Sequence, residues 1–255
     1  MSTNRENGSL YTNIQNKIAT VEFGHPASNS FPSELLERLQ NEFQKLSDNE
    51  EVNVIILRSE GEKAFCAGAS FDELVAIDNL EQGKQFFSGF ANVINAMRMC
   101  QKPIIGRIQG KTVGGGVGLA AACDYTMATE AASIKLSELT IGIGPFVIAP
   151  AVERKIGVAA LSELSLAAHE WKNAYWAQEK GLFAKVFESI LDLDKEIELL
   201  SEKLASYNPQ ATQEMKRVLW ENTDHWDTLL IDRASVSGEL VLSEFTKNAL
   251  SKFKK

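Results

Sequence analysis

Through its first two-thirds the chain alternates short β-branched runs with amphipathic segments, which points to an α/β architecture with parallel strand pairing. Ile14–Phe23 reads as a strand or hairpin and His25–Ser30 as a loop. Pro32 opens a helix whose apolar positions Leu35, Leu36, Leu39, Phe43 and Leu46 fall at helical spacing. The apolar run Val52–Leu57 has the texture of a strand buried on both faces. A helix carrying Phe86, Phe90, Ile94 and Met97 follows, Pro103 breaks it, and Ile104–Gln109 returns to strand. Gly114–Cys123 is a turn entering a small-residue helix, and Tyr125–Ala128 and Ser133–Leu136 are further strands. From about Asp192 the pattern is helical throughout, so the chain divides into a core over residues 1–191 and a helical region over 192–255.

Composition narrows the function. With 255 residues, 44% hydrophobic and 24% charged, the chain suits one globular domain with a helical appendage. Its net charge of −8, with no cationic run beyond Lys252, Lys254 and Lys255, disfavours a nucleic-acid partner, which demands a basic face. The longest apolar stretches, Val117–Cys123 and Phe146–Val152, fall far short of the ~18–20 residues that span a bilayer. Met1–Leu10 is polar and lacks a signal-peptide core, so a cytoplasmic location is expected. Cys66, Cys100 and Cys123 stand far apart, as do His25, His169 and His225. Neither a disulfide framework nor a metal centre is expected of such spacing.

Three segments can carry chemistry. Lys63–Ser70 follows the buried strand, and its small residues Ala64, Ala67, Gly68, Ala69 and Ser70 either leave backbone N–H groups open to a ligand or merely form a tight turn. Gly114-Gly115-Gly116-Val117-Gly118 sits at a helix start, where free N–H donors and the helix dipole suit an anion or a developing oxyanion. Gly116-x-Gly118-x-x-Ala121 also fits the loose dinucleotide fingerprint, with Glu138 about 20 residues on as a ribose-binding acid. Against that reading, Gly110–Val113 separates these glycines from the strand. The third segment, Leu136–Pro145, holds Glu138 in apolar surroundings, where desolvation makes a carboxyl a usable proton shuttle; a strand-end acid facing solvent is the alternative. No nucleophile elbow, phosphate-loop lysine or Cys/His pair competes.

In this order and spacing the three segments resemble the crotonase superfamily of enoyl-CoA hydratases and isomerases. The likeness spans most of the chain, from His25-Pro26-x-x-Asn29 through AFCAGAS and GGGVGLAAACD to the helical tail with Phe245 and Phe253. Pro145–Pro150 with Arg154–Gly157 is similar to the methylglutaconyl-CoA hydratase-like branch. The resemblance implies a spiral of ββα units forming two roughly perpendicular sheets, and a C-terminal helical region that builds trimers, often paired into hexamers. It implies an acyl-CoA thioester substrate that brings its own CoA, with no other cofactor. The thioester oxygen would be held by the N–H groups of Ala67 and Gly115, the Ala64–Ser70 turn would run along CoA, and Phe245 and Phe253 would pack near it. Phe71, Phe86, Phe87, Phe146 and Trp176 are candidates to line the acyl pocket.

One departure stands out. Hydratases of this superfamily carry two glutamates; the second matches Glu138, but the position of the first is Gly118. Three outcomes follow: a single glutamate moving a proton between carbons as in enoyl-CoA isomerases, hydration with one glutamate, or a substitute acid at Asp72 or Glu73. Isomerase chemistry is the expectation, with a hydratase or a non-catalytic acyl-CoA binder as alternatives.

Overall fold

A computed structural model of the chain describes residues 7–252. The chain opens with a hairpin, β1 (Ser9–Gln15) and β2 (Ile18–Gly24), whose turn residues Asn16 and Lys17 both take positive φ. That conformation matches the twist of a two-residue hairpin turn. The hairpin starts five residues ahead of its sequence signal, because β1 is a mostly exposed edge strand that leaves no hydrophobic trace. Helix α1 (Ser33–Ser47) buries every apolar position expected of it.

Strand β3 (Val54–Ser59) is buried on both faces, as its composition requires. It is followed by β4 (Ala64–Cys66), α2 (Phe71–Ala76), α3 (Leu80–Met99), β5 (Ile104–Ile108) and β6 (Lys111–Val113). Then come α4 (Gly115–Ala122), β7 (Tyr125–Thr129), β8 (Ser133–Lys135), α5 (Ala149–Leu166), β9 (Lys172–Asn173), α6 (Ala174–Glu179) and β10 (Lys185–Phe187). The chain ends in α7 (Ile190–Ser206), α8 (Pro209–Leu219), α9 (Trp226–Leu240) and α10 (Glu244–Ser251).

Two sheets result. The larger has the order β1-β2-β3-β5-β7-β10, parallel from β2 onward. One face carries the main core, with Leu35, Leu39, Phe43 and Ile94; the other packs Val54, Ile56, Ile105 and Met127 against Leu193 and Ile197 of α7. The smaller sheet has the order β4-β6-β8-β9. Its first three strands are parallel, so their C-terminal ends open on one edge.

The C-terminal helices are fastened by close approach and by buried charge. Gly83 of α3 and Gly238 of α9 let the two backbones touch, for a Cβ at Gly83 would lie 2.8 Å from the Cα of Gly238. Lys216 of α8 is buried, with its Nζ 3.0 Å from Asp124 Oδ2 and donating to the carbonyls of Met97 and Lys102. Trp220 Nε1 and the Ile104 amide complete the Asp124 carboxylate. Among the described residues, no helix is long and apolar enough to cross a membrane.

Candidate functional site

The edge where β4, β6 and β8 end gathers the three segments that the sequence singles out. After β4 the chain runs through Ala67, Gly68 and Ala69; after β6 through Gly114 into α4; after β8 through Ser137 into a 3₁₀ turn, Glu138–Ile141. A Cβ on Gly68 would stand 3.3 Å from the Val113 carbonyl and 3.9 Å from the Gly115 nitrogen, so the first two loops lie side by side.

Gly114 is required twice over. Its φ of +54° is one that L side chains rarely adopt, and a Cβ there would come within 2.9 Å of Glu138 Oε1. The acid therefore lies directly against the backbone that starts α4. Gly115 is the first residue of that helix, so its N–H has no intrahelical acceptor.

These loops enclose a cavity of about 180 Å³ whose wall includes Ala67, Gly68, Ala69, Gly114, Gly115 and Glu138. Phe71, Phe86 and Phe87 line it as expected, joined by Phe90, Leu74 and Ile143. Phe146 and Trp176 do not line it: the Phe146 ring lies against Gly144, and Trp176 packs beside the core on α6. Ala64 and Ser70 also fall outside the wall. The Ala64 carbonyl accepts the side-chain amides of Asn29 and Gln109, and Ser70 caps α2. Phe245 stands against Gly142 and is mostly exposed, while Phe253 lies outside the described residues.

Glu138 is half-buried as a residue, but its Oε2 is wholly buried and has no hydrogen-bond partner. Burial pushes its carboxyl from an ordinary 4.5 up to about 7, against a small opposing pull from a backbone N–H. An acid so placed exchanges protons near neutrality.

The substitute acids do not reach this cavity. Neither Asp72 nor Glu73 lines it, and the Glu73 carboxylate accepts from the Ser33 N–H at 3.0 Å and the Ser33 hydroxyl at 2.6 Å, bracing α2 to the start of α1. The position of the missing first glutamate is filled. A Cβ at Gly118 would stand 2.5 Å from Ile148 Cγ2 and 3.5 Å from Ile94 Cδ1. The dinucleotide reading fails on the same ground: Gly116 and Gly118 are buried inside α4, against Cys66 and Ile148, with no backbone open to a pyrophosphate.

The Ala67 N–H is engaged. It donates to the Ser28 carbonyl at 3.1 Å, within a loop where Ser28 and Asn29 both take positive φ. Asn29 fastens that loop by donating to the Glu60 and Ala64 carbonyls and accepting from the His25 N–H. Sequence reasoning treated these as separate segments and missed the pairing. It also missed Ser237 of α9, a cavity-wall residue that reads in sequence as one more serine in the helical C-terminal region.

Residues 13–241 match the family model described as enoyl-CoA hydratase/isomerase. The chain is 29% identical to the short-chain-enoyl-CoA hydratase of Clostridium acetobutylicum, over 94% of this chain and 92% of that one. It is 31% identical to the peroxisomal Delta(3,5)-Delta(2,4)-dienoyl-CoA isomerase of Arabidopsis thaliana, over 68% of this chain and 66% of that one. Among solved structures, the enoyl-CoA hydratase of Bacillus halodurans superposes with a TM-score of 0.88 at 19% identity, covering 95% of this chain and 99% of that one, a likeness of fold alone.

Proposed function

Because the chain belongs to the enoyl-CoA hydratase/isomerase family, within the crotonase superfamily, we propose that it is an enoyl-CoA isomerase working with the single carboxyl of Glu138. The observation that carries this reading is the space beside Gly118. Ile148 and Ile94 fill it, and Glu138 is the one carboxylate among the described residues lining the cavity, which supports chemistry with a single acid.

In this reading the thioester oxygen of a 3-enoyl-CoA accepts from the N–H groups of Gly115 and Ala67, the latter leaving Ser28 to do so. Glu138 takes a proton from C2. The C–H electron pair becomes the C2=C1 bond of a dienolate whose negative charge rests on the thioester oxygen. The electrons then return through C2=C3, and Glu138 delivers its proton to C4, so the double bond has moved from C3–C4 to C2–C3. An oxyanion donor of this kind supplies about 2.7–4 kcal/mol of transition-state stabilisation. CoA enters as part of the substrate, and the chemistry needs no further cofactor.

The name of the Clostridium relative favours a second reading, hydration of a 2-enoyl-CoA with Glu138 alone. A non-catalytic acyl-CoA binder is the third. Offering both a 2-enoyl-CoA and a 3-enoyl-CoA in D2O, with products followed by mass, separates them. Bond migration with deuterium uptake and no added water is expected, falling by about 10²–10⁴-fold in Glu138→Gln. Water addition to the 2-enoyl substrate would establish the hydratase, and binding without turnover the binder. We also assign the helices from residue 192 onward to assembly of a cytoplasmic homotrimer or hexamer, with residues 1–191 as the acyl-CoA-binding core. A monomer in sedimentation would remove that assignment.

A further inference from the structure

Two buried side-chain oxygens in the cavity wall have no hydrogen-bond partner: Oε2 of Glu138 and Oγ of Ser237. The first belongs to the proton-transfer chemistry. The second has no role there. Ser237 is only 1% exposed, and it is the one residue of α9 that reaches the cavity. Two positions earlier, Ser235 satisfies its hydroxyl on the Ile231 carbonyl one turn back, at 3.2 Å. Ser237 makes no such bond, although an acceptor of the same kind lies one turn before it on the helix. The close approach of Gly238 to Gly83 seats α9 directly against α3 beside this residue. A buried hydroxyl left unpaired is unfavourable, and an oxygen carried into the cavity by a ligand would supply its partner.

The rest of the wall says what kind of oxygen. Phe71, Leu74, Phe86, Phe87, Phe90 and Ile143 make it apolar, and no Lys, Arg or His is among the described lining residues. A carboxylate at the end of the acyl chain would be desolvated there without a counter-charge. The volume of about 180 Å³ exceeds only slightly the roughly 150 Å³ of a cavity known to hold benzene. A space of that order suits a short acyl chain.

We infer that Ser237 is a specificity-determining residue that pairs with a neutral oxygen, a ketone or hydroxyl, on a short acyl chain. The substrate is then an oxygen-bearing acyl-CoA rather than a plain hydrocarbon thioester or a dicarboxylic one. This rests on the acyl-CoA reading above, but not on which reaction follows binding.

The test is calorimetric binding of four saturated thioesters: pentanoyl-CoA, 4-oxopentanoyl-CoA, 5-hydroxypentanoyl-CoA and glutaryl-CoA. At least one of the two neutral oxygenated ligands binds about 10-fold tighter than pentanoyl-CoA, and glutaryl-CoA binds weakest. In Ser237→Ala the preference for the oxygenated ligand collapses to near unity, and the protein melts no lower than the parent. Equal binding of pentanoyl-CoA and both oxygenated ligands overturns the inference, as does a preference that survives in Ser237→Ala. A melting point several degrees lower in that variant also overturns it, since the hydroxyl would then have a structural partner. Binding of none of the four removes instead the acyl-CoA reading itself.

Discussion

Replacing Glu138 with Gln turns the buried carboxyl into a probe of its own desolvation. Its pKa stands at about 7 in the folded protein against an ordinary 4.5, and the cause is burial. The folded state therefore holds a proton that the unfolded chain has already released between pH 4.5 and 7. Stability must fall as pH rises through that window, because the folded state binds more protons than the unfolded one there. Below pH 4.5 both states are protonated and nothing is lost; above pH 7 both are ionised and the full cost of about 3 kcal/mol is present. Gln stays neutral throughout. Glu138→Gln should then match the parent near pH 4.5 and exceed it by about 3 kcal/mol at pH 8, or roughly 6–10 °C in melting temperature for a chain of this size. Paired thermal melts from pH 4.5 to 8.5 measure the gap, and every other carboxyl cancels in the difference. The same ionisation governs the rate: kcat/KM for a 3-enoyl-CoA should rise about tenfold per pH unit below 7 and flatten above it. Parallel melting curves, or a rate midpoint near 4.5, would refute the desolvation argument.

The filled space beside Gly118 predicts that Gly118→Ala destabilises by about 1–3 kcal/mol, and that adding Ile148→Ala recovers part of the loss. Urea unfolding of the two single variants and the double variant gives the coupling, and strict additivity would contradict the packing. Lys216→Met leaves the Asp124 carboxylate buried without its cation and should cost about 3–5 kcal/mol by denaturant unfolding. A loss under 1 kcal/mol would show that α8 is held by something else.

The fold was legible where burial leaves a periodic trace. The apolar run Val52–Leu57, which the structure places two residues later as β3 (Val54–Ser59), the five buried positions of α1 and the helical texture from about Asp192 all announce themselves, because each buries apolar side chains in a regular pattern. Of the smaller sheet only β8 was legible, as the strand read at Ser133–Leu136. Strands β4 and β6 are three residues each and β9 is two, too short for a period to develop. They exist because neighbouring strands pair with them, parallel at β4 and β6 and antiparallel at β9, which is tertiary information. The polar β1 escaped for a related reason, since an edge strand facing water has no apolar pattern to read.

The site divides along the same line. Backbone donors need small residues nearby, and small residues are visible in a sequence, so Ala67, Gly114 and Gly115 could be picked out before any coordinates. Which of those donors is free depends on distant partners, and here the two differ. The Gly115 N–H is left without an acceptor by helix geometry, whereas the Ala67 N–H is already bonded to Ser28. In the proposed reaction a substrate oxygen would compete for Ala67 with a carbonyl held by a loop that Asn29 ties down at both ends. The exchange replaces a neutral acceptor with one that gains negative charge during the reaction, and hydrogen bonds to charged acceptors are roughly twice as strong. On the proposed mechanism, ground-state substrate would gain little from the swap and the dienolate much more. A donor of this kind spends its binding on the transition state, which is where binding accelerates a reaction.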